Sequence, residues 1–240
     1  MKKDITILGV GINNLSLSET LEYLLKNIPK REKKLFLTTI NSEILVASYR
    51  NAKFRDVLNS SDLALIDGVG VMKAANFLGF RVKQRIAGVD LVQIICREVS
   101  KRPITVGFVG GRQNVAEIAV SCLKNKYPGL KVAFAIQELS DFEAKSKNLK
   151  CDILFVALGH EKQEFWISDN LSKIDVGVAM GVGGAFDFIS GRVRRAPKIV
   201  QDMGFEWLFR LVLQPWRIRR QSSLIYFVLL ILKEKLLKAN

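Results

Sequence analysis

Seven short apolar runs recur along the chain, most of them followed by a stretch with apolar residues three and four apart. The runs are residues 5–12 (ITILGVGI), 34–40 (KLFLTTI), 63–67 (LALID), 104–110 (ITVGFVG), 131–136 (KVAFAI), 151–159 (CDILFVALG) and 176–184 (VGVAMGVGG). A strand with one face in water alternates apolar and polar side chains, whereas these runs are apolar on both faces, as in a covered parallel sheet. The intervening SLSETLEYLLKN and NVAEIAVSCLKNKY have helical periodicity. SLSE (16–19) reads as a capping box, and YPGL (127–130) punctuates a helix before the next strand. The alternation predicts an α/β fold, a Rossmann-like, mostly parallel sheet flanked by helices.

After Ala196-Pro197 no further strand pattern appears, only helix-like segments at 198–213 and 221–237. Pro215 interrupts them, since it lacks a backbone donor and disfavours a helical residue before it. Two domains are therefore expected: an α/β catalytic body, 1–195, and a basic amphipathic helical appendage, 196–240. Residues 192–240 carry 11 basic and 3 acidic side chains, so about a fifth of the length holds more than half of the chain's net charge of +14.

Such charge points to a phosphate-bearing partner: nucleic acid, an anionic membrane or a phosphorylated substrate. Nucleic acid is disfavoured, because the cations cluster beside an apolar run and no RNP, helix-turn-helix or finger pattern is present. The run from Leu224 to Leu232 is nine residues, well short of the roughly 18 that suggest a membrane span. With Trp207, Trp216, Tyr226 and Phe227 it suits an interface, so peripheral docking on an anionic membrane surface is expected. The alternative is that Met203, Trp207 and Leu211 pack on the body, or on another subunit of a homo-oligomer. Cys96, Cys122 and Cys151 stand far apart in apolar surroundings, so they read as core residues in a reducing cytoplasm. The opening MKKDITILGVGINN reads as a first strand, not a signal peptide.

In open parallel sheets ligands bind outside the carboxyl ends of the strands, so candidate residues are sought there. LTTIN places Thr38, Thr39 and Asn41 at one such end, where Asn41 either orients a sugar or nucleotide or caps the next helix. LALIDGVGV drives a buried strand into Asp67 ahead of Gly68 and Gly70. An acid there is a candidate general base, or the cap of the helix that follows. Arg85, in QRIAGVDL, could clamp a phosphate or sugar oxygen. VGFVGGRQN and MGVGGAFDF supply glycine turns able to lie against a nucleotide, or simply to pack tightly. ALGHEKQEFW puts Gln163 in the first turn of a helix; His160, the only histidine, has no catalytic partner pattern. No Ser-His-Asp set, metal-ligand spacing or D-x-D pair is found, so no cofactor is expected, and if the substrate is a nucleotide diphosphate, cations of the protein must take the place of a metal. A dinucleotide-dependent oxidoreductase remains the rival reading, although GVGINN (9–14) lacks the last glycine of GxGxxG.

Taken in order, TINSEI, IDGVGV, QRIAGVDL, ALGHEKQEFW, GVGGAFDFISGRVRRAP and GFEWLFRLVLQPWRIRR resemble the WecG/TagA/CpsF glycosyltransferases, glycosyltransferase family 26. The resemblance runs from about residue 5 to residue 220, nearly the whole chain. It implies an inverting, metal-independent transfer of N-acetylmannosamine from a UDP-sugar to N-acetylglucosamine on a polyprenyl (undecaprenyl) diphosphate acceptor. Such a bacterial enzyme would serve wall teichoic acid or a related cell-surface polymer at the cytoplasmic face of the membrane. By the same resemblance Asp67 is the base, and Thr39, Asn41, Arg85 and Gln163 contact substrate. Arg210, Arg217 and Arg220 are implied to reach the diphosphate. Two stretches depart from the family's pattern: TTIN lacks a proline before the Asn, and GHEKQE replaces Gly-Ala/Val-Pro-Lys-Gln-Glu. Neither removes a proposed functional side chain, but N-acetylmannosaminuronic acid, glucose or galactose stay open as donor sugars.

Overall fold

The computed structural model describes residues 1–28, 33–145, 149–215 and 218–239. The first apolar run folds back on itself instead of entering the main sheet. Leu8 and Gly9 both take positive φ (49° and 77°), the conformation of a primed two-residue hairpin turn. They join β1 (Ile5–Ile7) to β2 (Val10–Ile12) as an antiparallel pair, with Ile5 opposite Ile12. Beyond it, buried Asn13 exchanges hydrogen bonds with the backbone of Ala64 at 2.8 Å and ties the hairpin to the body. Next comes α1 (Leu17–Asn27), opened by the Ser16–Glu19 capping box expected from the sequence.

The other six runs form the sheet. In chain order the elements are β3 (Leu35–Ile40), α2 (Ser42–Arg50), α3 (Ala52–Ser60), β4 (Leu63–Ile66), α4 (Val69–Phe77) and α5 (Gly88–Val99). Then follow β5 (Thr105–Gly110), α6 (Val115–Lys126), β6 (Lys131–Ile136), α7 (Leu139–Lys145), β7 (Lys150–Ala157), α8 (Lys162–Asn170), β8 (Asp175–Gly181) and α9 (Ala185–Ile189). Strand order is β4-β3-β8-β7-β5-β6 with every pairing parallel. The α/β, Rossmann-like expectation holds. β3 is buried along all six residues, whereas edge strand β6 keeps Lys131 and Ala133 in solvent.

Period-two alternation along β3 sends Leu35, Leu37 and Thr39 to one face and Phe36, Thr38 and Ile40 to the other. The first face packs under α1, α5, α6 and α9, with Phe108 and Phe186 at its centre. The second lies under α2, α3 and α8. The helices after β3 and after its neighbour β8 thus go to opposite faces, the switch of direction at which open parallel sheets bind ligands beside the carboxyl ends of their strands. Cys96 and Cys151 are buried as read from the sequence, but Cys122 is exposed on α6.

The last segments are α10 (Lys198–Asp202), α11 (Glu206–Leu213) and α12 (Ile218–Ala239). A single helix expected over 198–213 is broken at Gly204. Its φ of +80° suits glycine, and an added Cβ there would stand 2.8 Å from Val69 at the start of α4. α12 buries Phe227, Leu230 and Ile231 among Ile5, Ile7, Ile44 and Leu45. Phe227, expected at an interface, is instead part of the core. The Glu234 carboxylate accepts the Leu8 amide at 3.0 Å, and Arg50 stacks 4.7 Å from the Tyr226 ring. Others face outward, among them Ile199, Met203, Trp207 and Val212 before Pro215, and Ile225, Val228, Leu229 and Leu232 after it. Among the described residues no helix is long and apolar enough to cross a membrane.

Candidate active site

At the carboxyl edge, β4 ends on Ile66 and delivers Asp67 beside the start of α5. The β3–β4 ladder continues one step further, with the Asp67 amide donating to the Ile40 carbonyl at 3.0 Å. Asp67 does not cap α4: Gly68 holds the cap position, without a side-chain bond. Its carboxylate instead accepts the Gly88 amide, one of the free donors in the first turn of α5. Arg85 lies alongside, its guanidinium 3.4 Å from the Asp67 carbonyl. Burial pushes the Asp67 carboxyl up to about 6; Arg85 and the Gly88 amide oppose this, while Glu206 and Asp90 reinforce it. A carboxylate that stays ionised at neutral pH yet holds protons this well suits general-base work.

Thr39, paired with Leu65 on β4, comes near Asp67 on the side of Gly88. A Cβ on Gly88 would lie 3.1 Å from the Thr39 hydroxyl and 3.8 Å from Asp67 Oδ2. Glycine therefore keeps the space between these two groups open. Asn41 takes the capping role: its side-chain oxygen accepts the Ile44 amide at 3.0 Å and starts α2. Gly68 packs against its backbone, an added Cβ falling 3.3 Å from Asn41 Cα.

Gln163 is buried rather than presented at the surface. Its carbonyl oxygen accepts the Gly183 amide at 2.9 Å and its amide donates to Glu164 at 2.7 Å. It is therefore the strut under the glycine turn that ends β8. A side chain at Gly181 would displace this pair, because a Cβ would sit 2.9 Å from the Gln163 amide nitrogen and 3.0 Å from Glu164. Glu164, to which the sequence assigned no role, is fully buried with its carboxyl raised to about 7 by burial. One of its oxygens receives Gln163 and, at a long 3.5 Å, the Thr38 hydroxyl; the other has no hydrogen-bond partner among the described residues.

Arg210 of α11 reaches the same turn from the tail. Its guanidinium stacks 4.6 Å from the Phe188 ring and lies 3.8 Å from where a Gly184 Cβ would be. Arg217 lies outside the described residues, as does the side chain of Arg220. Sequence reasoning also missed a joint beneath Arg210. Arg195 forks onto Asp90 of α5, one arm at 2.8 Å, and its Nε reaches Glu206 of α11 at 3.4 Å. No local pattern could have announced it, with Arg195 and Asp90 105 residues apart. Among the described residues no group of three His, Cys, Asp or Glu side chains is placed to hold a metal ion.

The edge thus combines a proton-accepting carboxylate, an open glycine-lined turn and two guanidinium groups. Those parts can activate a hydroxyl and offset a developing phosphate charge.

The sequence model described as the Glycosyl transferase WecG/TagA/CpsF family matches residues 5–240. The chain is 32% identical over 234 residues to an N-acetylglucosaminyldiphosphoundecaprenol N-acetyl-beta-D-mannosaminyltransferase of Bacillus subtilis, covering 96% of this chain and 91% of the relative. Proteins of the same name from Bacillus spizizenii (32%, 85% of this chain and 81% of the relative) and Staphylococcus aureus (28%, 96% and 93%) are similar.

Proposed function

The chain belongs to the WecG/TagA/CpsF family of glycosyltransferases, and from that premise we propose that it transfers N-acetylmannosamine from UDP to N-acetylglucosamine on undecaprenyl diphosphate. The observation that carries the mechanism is Asp67: a carboxyl raised by burial, bonded to the Gly88 amide and open toward Thr39. It accepts the proton of the acceptor hydroxyl, which attacks the anomeric carbon from the side opposite UDP, so configuration inverts. Thr39 and Asn41 border the sugar, and Arg85 holds an oxygen of donor or acceptor beside the base.

Negative charge gathers on the departing diphosphate. The glycine turn at 181–184, propped by Gln163, receives it with Arg210 overhead, and Arg217 and Arg220 extend the cationic set. Protein cations in this place support a reaction that runs without a divalent metal or other cofactor.

The acceptor's lipid lies in a membrane, and the tail supplies the surface that meets it. Outward Ile199, Met203, Trp207 and Val212 on residues 198–213, with the outward stripe of α12, match an interfacial helix layer next to basic residues. The enzyme works as a peripheral protein at the cytoplasmic face, in synthesis of wall teichoic acid or a related polymer, with residues 196–240 as its docking appendage.

The test is UDP release from UDP-N-acetylmannosamine with a polyprenyl-diphosphate N-acetylglucosamine acceptor and EDTA present, for wild type and Asp67→Asn. Acceptor-dependent release by wild type, with Asp67→Asn slowed about 10²–10⁴-fold and UDP affinity kept, is the expected result. Equal loss of turnover and UDP binding makes Asp67 structural. No release from the wild type rejects this donor.

A further inference from the structure

Arg195 stands where three elements meet, and the reaction described above uses none of its atoms. Its two terminal nitrogens grip both oxygens of Asp90 in the first turn of α5, and its Nε meets Glu206 in the first turn of α11. Its side chain is about a fifth exposed, as is that of Glu206. α5 begins at Gly88, the residue whose amide holds the Asp67 carboxylate. α11 carries Arg210 one helical turn beyond Glu206, on the same face of the helix. The fork therefore links the element that holds the base to the element that brings a guanidinium over Gly184.

It also lies within a charge balance around Asp67. The charged groups facing that carboxylate are Arg85 before α5, Asp90 on α5 and Glu206 on α11. Two of the three are acids, and Arg195 bonds to both. Lys198 of α10 and Arg85 also act on Asp90; although burial opposes it, these cations and Arg195 together hold its carboxyl below the usual range.

We propose that Arg195 is a positioning residue for the transferase: it pins α11 to α5 so that Arg210 sits over the glycine turn, and it neutralises two carboxylates that face Asp67. This rests on the roles proposed above for Asp67 and Arg210. A bidentate guanidinium is needed for the pinning, whereas any cation serves the neutralisation. The two functions therefore separate in Arg195→Lys and Arg195→Gln.

Three measurements test it. Hydrogen exchange over residues 205–213 needs no substrate; Arg195→Gln should speed it while β7 and β8 stay protected. In the pH profile of kcat/KM, Arg195→Gln should move the acidic limb upward by roughly half to one pH unit, and Arg195→Lys should leave it in place while lowering kcat. In a double-mutant cycle read at pH 8, above the acidic limb where the charge effect on Asp67 no longer matters, Arg195→Gln should add almost no loss in a background of Arg210→Gln, because the partner it positions is gone. Unchanged exchange in α11, or multiplicative losses in the cycle, would overturn the proposal. A wild type inactive on every UDP-sugar rejects the transferase chemistry and leaves the exchange result to decide the joint separately.

Discussion

The side-chain oxygen of Gln163 accepts the Gly183 amide at 2.9 Å, while its own amide is held by Glu164 at 2.7 Å. The turn at the end of β8 is thereby suspended from the first turn of α8, beneath the place where Arg210 stacks. Gln163→Leu keeps the volume and leaves that amide and the buried acid without their partner. A cost of about 1–3 kcal/mol in stability is expected, read as a lower melting temperature. A larger fractional fall in kcat than in UDP affinity should accompany it.

Asp67 accepts a proton only when ionised, and its carboxyl is raised to about 6, chiefly by burial. kcat/KM should therefore be level from pH 7 upward and fall about tenfold per pH unit below about 6. A profile that stays level down to pH 5 would remove Asp67 from the role of base.

Gly88 separates Thr39 from Asp67. Gly88→Ala places a methyl 3.1 Å from the Thr39 hydroxyl without demanding an unusual backbone angle. The start of α5 gains about 0.5–1 kcal/mol in helix preference, which offsets the local crowding. Melting temperature should be nearly unchanged while kcat/KM drops at least tenfold. A destabilised but fully active variant would show that the gap serves packing alone.

Glu164 links stability to pH in the direction opposite to a salt-bridged acid. Its folded carboxyl is raised from 4.5 to about 7 by burial, so in that window the folded protein keeps a proton that the unfolded chain has released. Stability conferred by the protonated form is thus lost as pH climbs from about 4.5 to 7. Between pH 5 and pH 8 the wild type should lose about 2–3 kcal/mol more than Glu164→Gln. Denaturant melts at the two values check it; identical slopes would mean that Glu164 is ionised in the folded protein.

Phe227 sits among residues of β1, β2, α2 and α4, with 3% of its surface exposed. Phe227→Ala should cost about 3–5 kcal/mol in global unfolding. A deletion from residue 196 onward would strip Phe227, Leu230 and Ile231 from this core, so loss of activity on truncation should coincide with a lower melting temperature. For membrane contact the cleaner variants are the outward Val212→Ser and Trp207→Ser, whose liposome binding should weaken at constant stability.

The sheet was legible in the sequence because strands buried on both faces must be apolar throughout, and six of the seven runs became its strands. The first run stayed out of it because a hairpin depends on two backbone angles at Leu8 and Gly9, and a leucine gives no warning of a left-handed turn. Asp67 stood out as a candidate because a strand end followed by glycine is a local pattern, whereas Arg85 was singled out chiefly by the ordered motifs that carried the family. Whether Asn41 caps a helix, whether Asp67 does not, and that Gln163 faces inward to Gly183 were matters of hydrogen-bond partners distant in the chain. The Arg195–Asp90–Glu206 joint and the buried Glu164 belong to the same class. Sequence periodicity records which residues leave water, since burial acts on each side chain by its own chemistry. Only the tertiary structure decides which charges and amides meet, because those energies depend on distances that the order of residues does not contain.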